Sequence, residues 1–529
     1  MQVKYVIRVR EIKLSLNEDK NNIKNKIAKK IHVNERDILD YTIIKESIDA
    51  RKKPDIMLVY EVAVTVTNED KVLSHNKDLI KYIDPSYEIS VTGTNKIKRP
   101  IIVGAGPGGL FAAYLLAELG YNPIVIERGE KIEDRVKSVE EFWKTGKLNP
   151  NSNVQFGEGG AGTFSDGKLN TLVRDVIRQK KVFEIFVENG ANSEILYRNK
   201  PHLGTDELRN IIISIRNHII SKGGEFRYST KLTDLIIEDN KLKGIIVNDV
   251  ERIDTDICIL AIGHSSRDTF YMLNNYLTME QKPFALGIRI MHPQKDINIS
   301  QYGFEYSKYL GNADYKLTHH CQNGKSVYTF CMCPGGFVVN ASSEENRLAI
   351  NGMSNHARDE ENANSAVVVN VNSEDFGNTL FAGLEFQRKL EEKAYSLGKG
   401  KIPVTLFSDY LENKVSTNFK SINPVFKGET SFSNLNEIFP DNINEALKEG
   451  INAFANKIPI YNHPDSILAG VETRTSSPIR IVRNEELVSN ITGIYPCGEG
   501  AGYAGGITSA AMDGLKVVEE IVKNYKYEQ

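Results

Sequence analysis

The run Ile101-Ile102-Val103-Gly104-Ala105-Gly106-Pro107-Gly108-Gly109 places glycines at the spacing G-x-G-x-x-G, directly after three apolar residues and before the apolar stretch Leu110–Leu119. Its chemistry is done by backbone. Gly104 permits a tight turn, Gly106 lets the main chain approach a pyrophosphate, and Gly109 lets the following helix pack close to the strand. Pro107 and Gly108 open that helix, whose free N–H groups and positive dipole end suit phosphate. A second strand-like segment, Pro123–Ile126, ends in Glu127. It lies about twenty residues after the glycines, where a carboxylate accepts hydrogen bonds from ribose hydroxyls.

Other reactive side chains cluster in short segments. Phe156–Lys168 is too rich in glycine for a helix or a central strand. We expect it to wrap a nucleotide through Gly160, Ala161, Gly162 and Thr163, with Ser165 and Lys168 as polar donors. His264 follows the turn at Gly263 and admits two readings, an acid/base group or a hydrogen-bonded structural histidine. Glu472–Arg480 (ETRTSSPIR) concentrates hydroxyls and guanidinium groups, and arginine suits bidentate capture of a carboxylate or phosphate. Arg474, ahead of Arg480, is the candidate for a substrate anion. An internal ion pair from Glu472 to one of these arginines is the equal alternative. Cys331-Met332-Cys333 would place two thiols on one side of a strand, but C-x-C makes a strained disulfide. With His319, His320 and Cys321 nearby, a zinc-like cluster is conceivable; packing thiols are the favoured reading, and no metal is expected. Cys497 reads as a small buried filler.

These segments need a scaffold. A chain of 529 residues exceeds one hydrophobic core and suits about three folding units. A net charge of -3 gives no global attraction to nucleic acid or acidic membranes. Five cysteines in so long a chain do not form a secreted disulfide framework. The N-terminus alternates apolar and basic residues instead of resembling a signal peptide, and the one long apolar run is broken by the glycines above. The expected setting is the cytoplasm, with no membrane association.

Residues 1–92 are expected to form a small ferredoxin-like α+β module. Its predicted elements are strands at Val3–Val9, Leu39–Ile48 and Ile56–Val66, with helices at Lys20–Lys30 and near Asn76–Ile83. Its modest excess of basic residues comes without an aromatic stacking signature, so nucleic acid is a disfavoured partner. Residues 97–270 and 470–529 are expected to form one discontinuous α/β nucleotide-binding domain. Residues 271–469, richer in Tyr, Asn and short β-like runs, form an inserted α+β substrate domain.

Two distant segments choose the nucleotide. Ile257–Gly263 (ICILAIG) is an apolar strand ending in small residues, including Ala261 and Gly263. Gly493–Gly500 (GIYPCGEG) is followed by Ala504-Gly505-Gly506-Ile507-Thr508 and a helix. These resemble the later signatures of the glutathione-reductase-like FAD-binding superfamily, and that resemblance implies a Rossmann-like FAD domain. It implies that Gly498 and Glu499 meet the ribityl chain, with Glu in place of the superfamily's Asp, and that the helix opening at Gly506, Ile507 and Thr508 points at the flavin. A helix N-terminus there would stabilise the negative charge of reduced flavin. The resemblance also implies phosphate contact for Arg135, whose alternative is a solvated surface role. Arg128 and Leu232 complete the expected cofactor set.

A narrower resemblance covers the whole chain. Asn153–Lys168 (NVQFGEGGAGTFSDGK), Thr329–Gly336 (TFCMCPGG), Asn351–Ser354 (NGMS) and Glu472–Pro478 (ETRTSSP) resemble the uncharacterised FAD-dependent, NAD(FAD)-utilising dehydrogenase family. The implied activity is an FAD-dependent oxidoreductase acting on a small molecule, with NAD(P)H as a transient reductant. A flavin monooxygenase ranks lower, because only the shared fold supports it. An RNA-directed or scaffolding flavoprotein using residues 1–92 is the alternative from another class.

Overall fold

Four strands of three residues each, Ile101–Val103, Ile124–Ile126, Cys258–Leu260 and Ile494–Pro496, are buried at every position. Strands apolar on both faces must be covered from both sides, as in parallel sheets. With Glu225–Arg227 they form a parallel sheet in the order 494–496, 258–260, 101–103, 124–126, 225–227. The helix Pro107–Glu118 is buried from Gly108 to Ala117, as expected for a helix apolar all round. The final helix Ile507–Asn524 lies against it so closely that a Cβ on Gly514 would sit 2.3 Å from the Gly108 carbonyl oxygen. Small residues on both helices permit that approach.

The computed structural model describes residues 6–53, 55–76, 78–303 and 307–527. They divide into two units. The larger takes in 89–174, 202–297 and 314–529. Besides the parallel sheet it holds an antiparallel meander, Leu232–Glu238, Lys241–Val247 and Glu251–Asp254. It also holds a seven-stranded sheet in the order 318–320, 326–333, 362–371, 284–293, 467–472, 402–406, 430–432. Six of those strands come from the segment expected as an insertion, while Ile467–Glu472 straddles the expected boundary at 469/470. The boundary near 270 is crossed as well. Buried Arg267, from the first segment, pairs with buried Glu391 at 2.8 Å.

The smaller unit takes in residues 1–88, 175–201 and 298–313, more than the N-terminal stretch alone. Its chain path is strand Val6–Ser15, helix Ile23–Ile31, strands Ile38–Asp49 and Met57–Val66, helix Glu69–His75 and strand Ile80–Tyr82. The sheet order is 38–49, 57–66, 6–15, 80–82. Helix Ile23–Ile31 buries Ile23, Ile27, Ala28 and Ile31, a stripe at helical spacing. Residues 3–5 of the first expected strand lie outside the described residues. The helix expected near Asn76–Ile83 is corrected. Asn68 starts it earlier by accepting from the Lys71 N–H, and Asn76 closes it by donating Nδ2 to the Val72 carbonyl at 2.9 Å. Ile80–Tyr82 is then a strand. Among the described residues no helix is long and apolar enough to cross a membrane.

Candidate active site

At the carboxyl ends of the parallel strands, four stretches of chain far apart in sequence surround one cavity in the larger unit. The glycine turn contributes Gly104, Gly106, Pro107 and Gly108. Gly104 has φ +100°, and a Cβ there would lie 2.3 Å from the Ala261 carbonyl oxygen. Only glycine fits that left-handed, crowded position. The glycine-rich loop contributes Gly160, Ala161, Gly162 and Lys168, and is held to the turn by the Gly159 N–H donating to the Ala105 carbonyl at 2.8 Å. The 258–263 strand end contributes Ala261, Gly263 and His264. The late segment contributes Gly498, Glu499, Gly506 and Ile507. These last two stretches touch, since a Cβ on Gly500 would sit 2.5 Å from the Gly263 carbonyl oxygen.

Glu127 lines the cavity from the end of the second strand. Its Oε1 accepts from the N–H groups of Gly129 (2.9 Å) and Gly157 (3.0 Å), and Oε2 from Ala105 (2.9 Å). The carboxylate therefore knits three loops together and retains one lone-pair site, on Oε2. Arg128 and Leu232 also line it. Arg128 donates to Asp268 at 2.9 Å and stacks over Phe156 at 4.4 Å. Burial pushes Asp268 up, but Arg128 and Lys231 outweigh it and hold the carboxyl at about 2. Glu127→Ala should weaken FAD retention roughly tenfold to a hundredfold by equilibrium dialysis, through lost ribose acceptance and a loosened loop.

His264 is buried, with Nδ1 3.3 Å from Glu499 Oε1 and Nε2 without a protein partner. That nitrogen has essentially no accessible surface, so the ring meets the cavity through its other atoms. Lys168 donates to the Met332 carbonyl and stands 3.9 Å from Asp166. The remaining protons of its ammonium group have room to face the cavity.

Four expected cofactor residues do not line the cavity: Gly109, Arg135, Thr163 and Thr508. Gly109 packs under the turn, where a Cβ would lie 1.9 Å from the Gly104 carbonyl oxygen. Arg135 is fully buried and donates to the carbonyls of Asn153, Val154, Gly157, Glu158 and Gly160. It moulds the glycine-rich loop from behind and is neither a solvated surface residue nor a phosphate contact. Thr163 is buried beside it, and Thr508 donates to the Leu169 carbonyl at 2.8 Å.

Arg474 does line the cavity, but its Nε and Nη2 are both 3.0 Å from Glu391, and Nη1 reaches Ser265 and Ser343. Its ion pair is internal, as in the alternative reading, though with an unforeseen partner. Glu472 pairs instead with buried Arg289 at 2.8 Å, and burial pushes its carboxyl up despite that neighbour.

Phe330, Cys331, Met332, Cys333, Asn351 and Thr475 also line the cavity. Cys331 sits at a register shift in the strand pairing with φ +40° and an exposed side chain, and bulges of this kind re-aim side chains. The C-x-C spacing alone gives no sign of that. Asp513, which accepts from the Gly498 N–H at 2.8 Å and pairs with Arg483 at 2.7 Å, was equally hidden.

Residues 102–174 match the family described as NAD(P)-binding Rossmann-like domain, and residues 283–475 match FAD-dependent protein, C-terminal domain-like. Residues 6–65 match a domain of unknown function. An uncharacterized protein of Clostridium beijerinckii is 49% identical over 529 residues, spanning 98% of this chain and 99% of that one. An L-amino-acid oxidase of Crotalus adamanteus is 46% identical over 48 residues, 9% of either chain. The solved L-proline dehydrogenase from P. horikoshii aligns with TM-score 0.35 and 12% identity over 81% of this chain and 94% of its own. The chain, with its match to a Rossmann-like nucleotide domain and its match to the C-terminal domain of FAD-dependent proteins, belongs to the family of the Clostridium beijerinckii protein.

Proposed function

We propose that the protein is an FAD-dependent oxidoreductase that moves a hydride between bound flavin and an organic anion, or accepts one from transiently bound NAD(P)H. The carrying observation is the convergence of the early glycine turn and the late Gly-Glu segment on one cavity. The residues fit the cofactor. Gly106 leaves open space where a pyrophosphate would lie, with only the Gly160 Cα within reach of an added Cβ, at 3.8 Å. Glu127 has one acceptor site left for a ribose hydroxyl. When bound, the flavin supplies the two-electron chemistry, and the protein binds, orients and shields it.

The chain's own groups then divide the work. Helix Ile507–Asn524 opens at Gly506 on the cavity wall and offers its N-terminal N–H groups to negative charge. Glu499 holds the His264 ring at the cavity wall through Nδ1. With Arg474 tied to Glu391, Lys168 is the cation for a substrate carboxylate or phosphate. The seven-stranded sheet contributes Phe330–Cys333 to the wall. The βαββαβ path of the smaller unit supports a ferredoxin-like reading of the N-terminal module. We place the protein in the cytoplasm.

The test is anaerobic mixing of the yellow protein with NADH, NADPH and a panel of small organic anions. At least one should bleach the flavin absorbance. The reading fails if dithionite bleaches the protein and none of the others does at useful rates. For an anionic reductant, Lys168→Met should raise KM roughly tenfold to a hundredfold while FAD stays bound.

A further inference from the structure

We propose that His319, Cys321 and Glu449 form a binding site for a zinc-like divalent cation, separate from the nucleotide cavity. The three donor atoms, an imidazole nitrogen, a thiol sulfur and a carboxylate oxygen, all lie within 4.8 Å of one another. None of the three residues lines the cavity.

Their placement follows from a hairpin docked on a helix. His319 lies on the strand Thr318–His320, paired with Val327 of Ser326–Cys333. Cys321 opens the tight turn between the strands. Its N–H donates to the Lys325 carbonyl at 2.8 Å, and Gly324, at φ +80°, donates to the Cys321 carbonyl at 3.0 Å. Residues two apart on a strand share a side, so the imidazole and the thiol project together. Helix Asp441–Phe454 supplies the third donor. Asn323 Nδ2 fastens the turn to the Asn442 carbonyl at 2.9 Å, and the Gln322 N–H lies 3.2 Å from both Glu449 oxygens. That N–H orients the carboxylate as an outer-shell partner does in metal sites.

The donor set selects the ion. Thiolate and imidazole together disfavour magnesium and calcium and suit zinc. Tetrahedral zinc with bonds of about 2.0–2.3 Å needs donors roughly 3.3–3.8 Å apart. His319 Nε2 stands 2.8 Å from Glu449 Oε1, and no donor pair exceeds 4.8 Å, so side-chain rotations suffice. Cys321 is buried, whereas His319 and Glu449 are partly open to solvent, which leaves the fourth position to water. On binding, the sulfur–metal bond forms as the thiol proton leaves to solvent. The neighbouring His320, one residue on and so on the other side of the strand, is not among the clustered donors. Cys331 and Cys333 belong to the cavity wall instead.

Tag-free, FAD-loaded protein is equilibrated with zinc sulfate, gel-filtered and analysed for zinc and flavin. About one zinc per chain should be retained. Cys321→Ser and Glu449→Gln should each weaken retention roughly a hundredfold or more, His320→Ala should leave it unchanged, and FAD content should stay constant throughout. Cobalt in place of zinc should give a thiolate-to-metal absorption in the difference spectrum that Cys321→Ser lacks. Wild-type protein that retains no zinc, or zinc retained equally by Cys321→Ser, would overturn the proposal and leave a histidine–glutamate ion pair beside a buried thiol.

Discussion

Gly106→Val yields a folded, colourless protein. Gly106 has ordinary extended backbone, φ -78°, and the nearest protein atom to an added Cβ is the Gly160 Cα at 3.8 Å. Neither strain nor a serious clash opposes the side chain in the free protein. On the proposed function, the space it enters is that of the FAD pyrophosphate, which reaches the helix N–H groups only if the backbone is bare. We expect FAD affinity to fall at least about a thousandfold, roughly 4 kcal/mol, with an unchanged melting profile once both proteins are compared without flavin. The measurement is the flavin-to-protein ratio after dialysis against FAD. A fully yellow variant would remove the site from this turn. Gly104 provides the contrast: at φ +100° and 2.3 Å from the Ala261 carbonyl oxygen, any side chain there should impair folding itself.

The second large effect is on stability. Glu391 has no exposed surface and accepts from Arg267, Arg474 and Thr473. Glu391→Ala leaves buried Arg474 without its carboxylate and Arg267 with only Glu344, and should cost roughly 3–5 kcal/mol in urea unfolding. The pH dependence gives the same interaction a second readout. Burial pushes the Glu391 carboxyl up, but Arg267 and Arg474 outweigh it and hold the group far below the usual carboxylate range. A depressed carboxylate contributes fully above its unfolded value of about 4.3 and loses that contribution as pH falls. The stability gap between wild type and Glu391→Gln should therefore narrow in acid. A gap independent of pH would mean that packing, and not charge, holds this junction.

The nucleotide half of the site was legible because local rules dictate it. The strand–glycine–helix run, Glu127 and the late Gly498-Glu499 segment each have a fixed place relative to a sheet edge, and the structure brings them around one cavity. Arg135 was misread for a physical reason. A helix position says nothing of what covers it, and here a folded-back loop presents five carbonyls to the guanidinium group. The Arg474–Glu391 pair is not legible in the sequence because Glu391, eighty-three residues away on another element, carries no local signal. Glu449 was invisible beside His319 and Cys321 for the same reason. The helix expected near Asn76–Ile83 failed on a capping choice between Asn68 and Asn76, the kind of local competition that composition does not settle.

The order of strands in the parallel sheet has a consequence for biosynthesis. The glycine turn leaves the ribosome about four hundred residues before its counterpart at Gly498, an interval of roughly half a minute at ordinary synthesis rates. Throughout that time the nascent chain presents half a cradle and lacks the helix that closes it. The cavity is therefore whole only in a chain that has been made through Ile507 and the helix it opens.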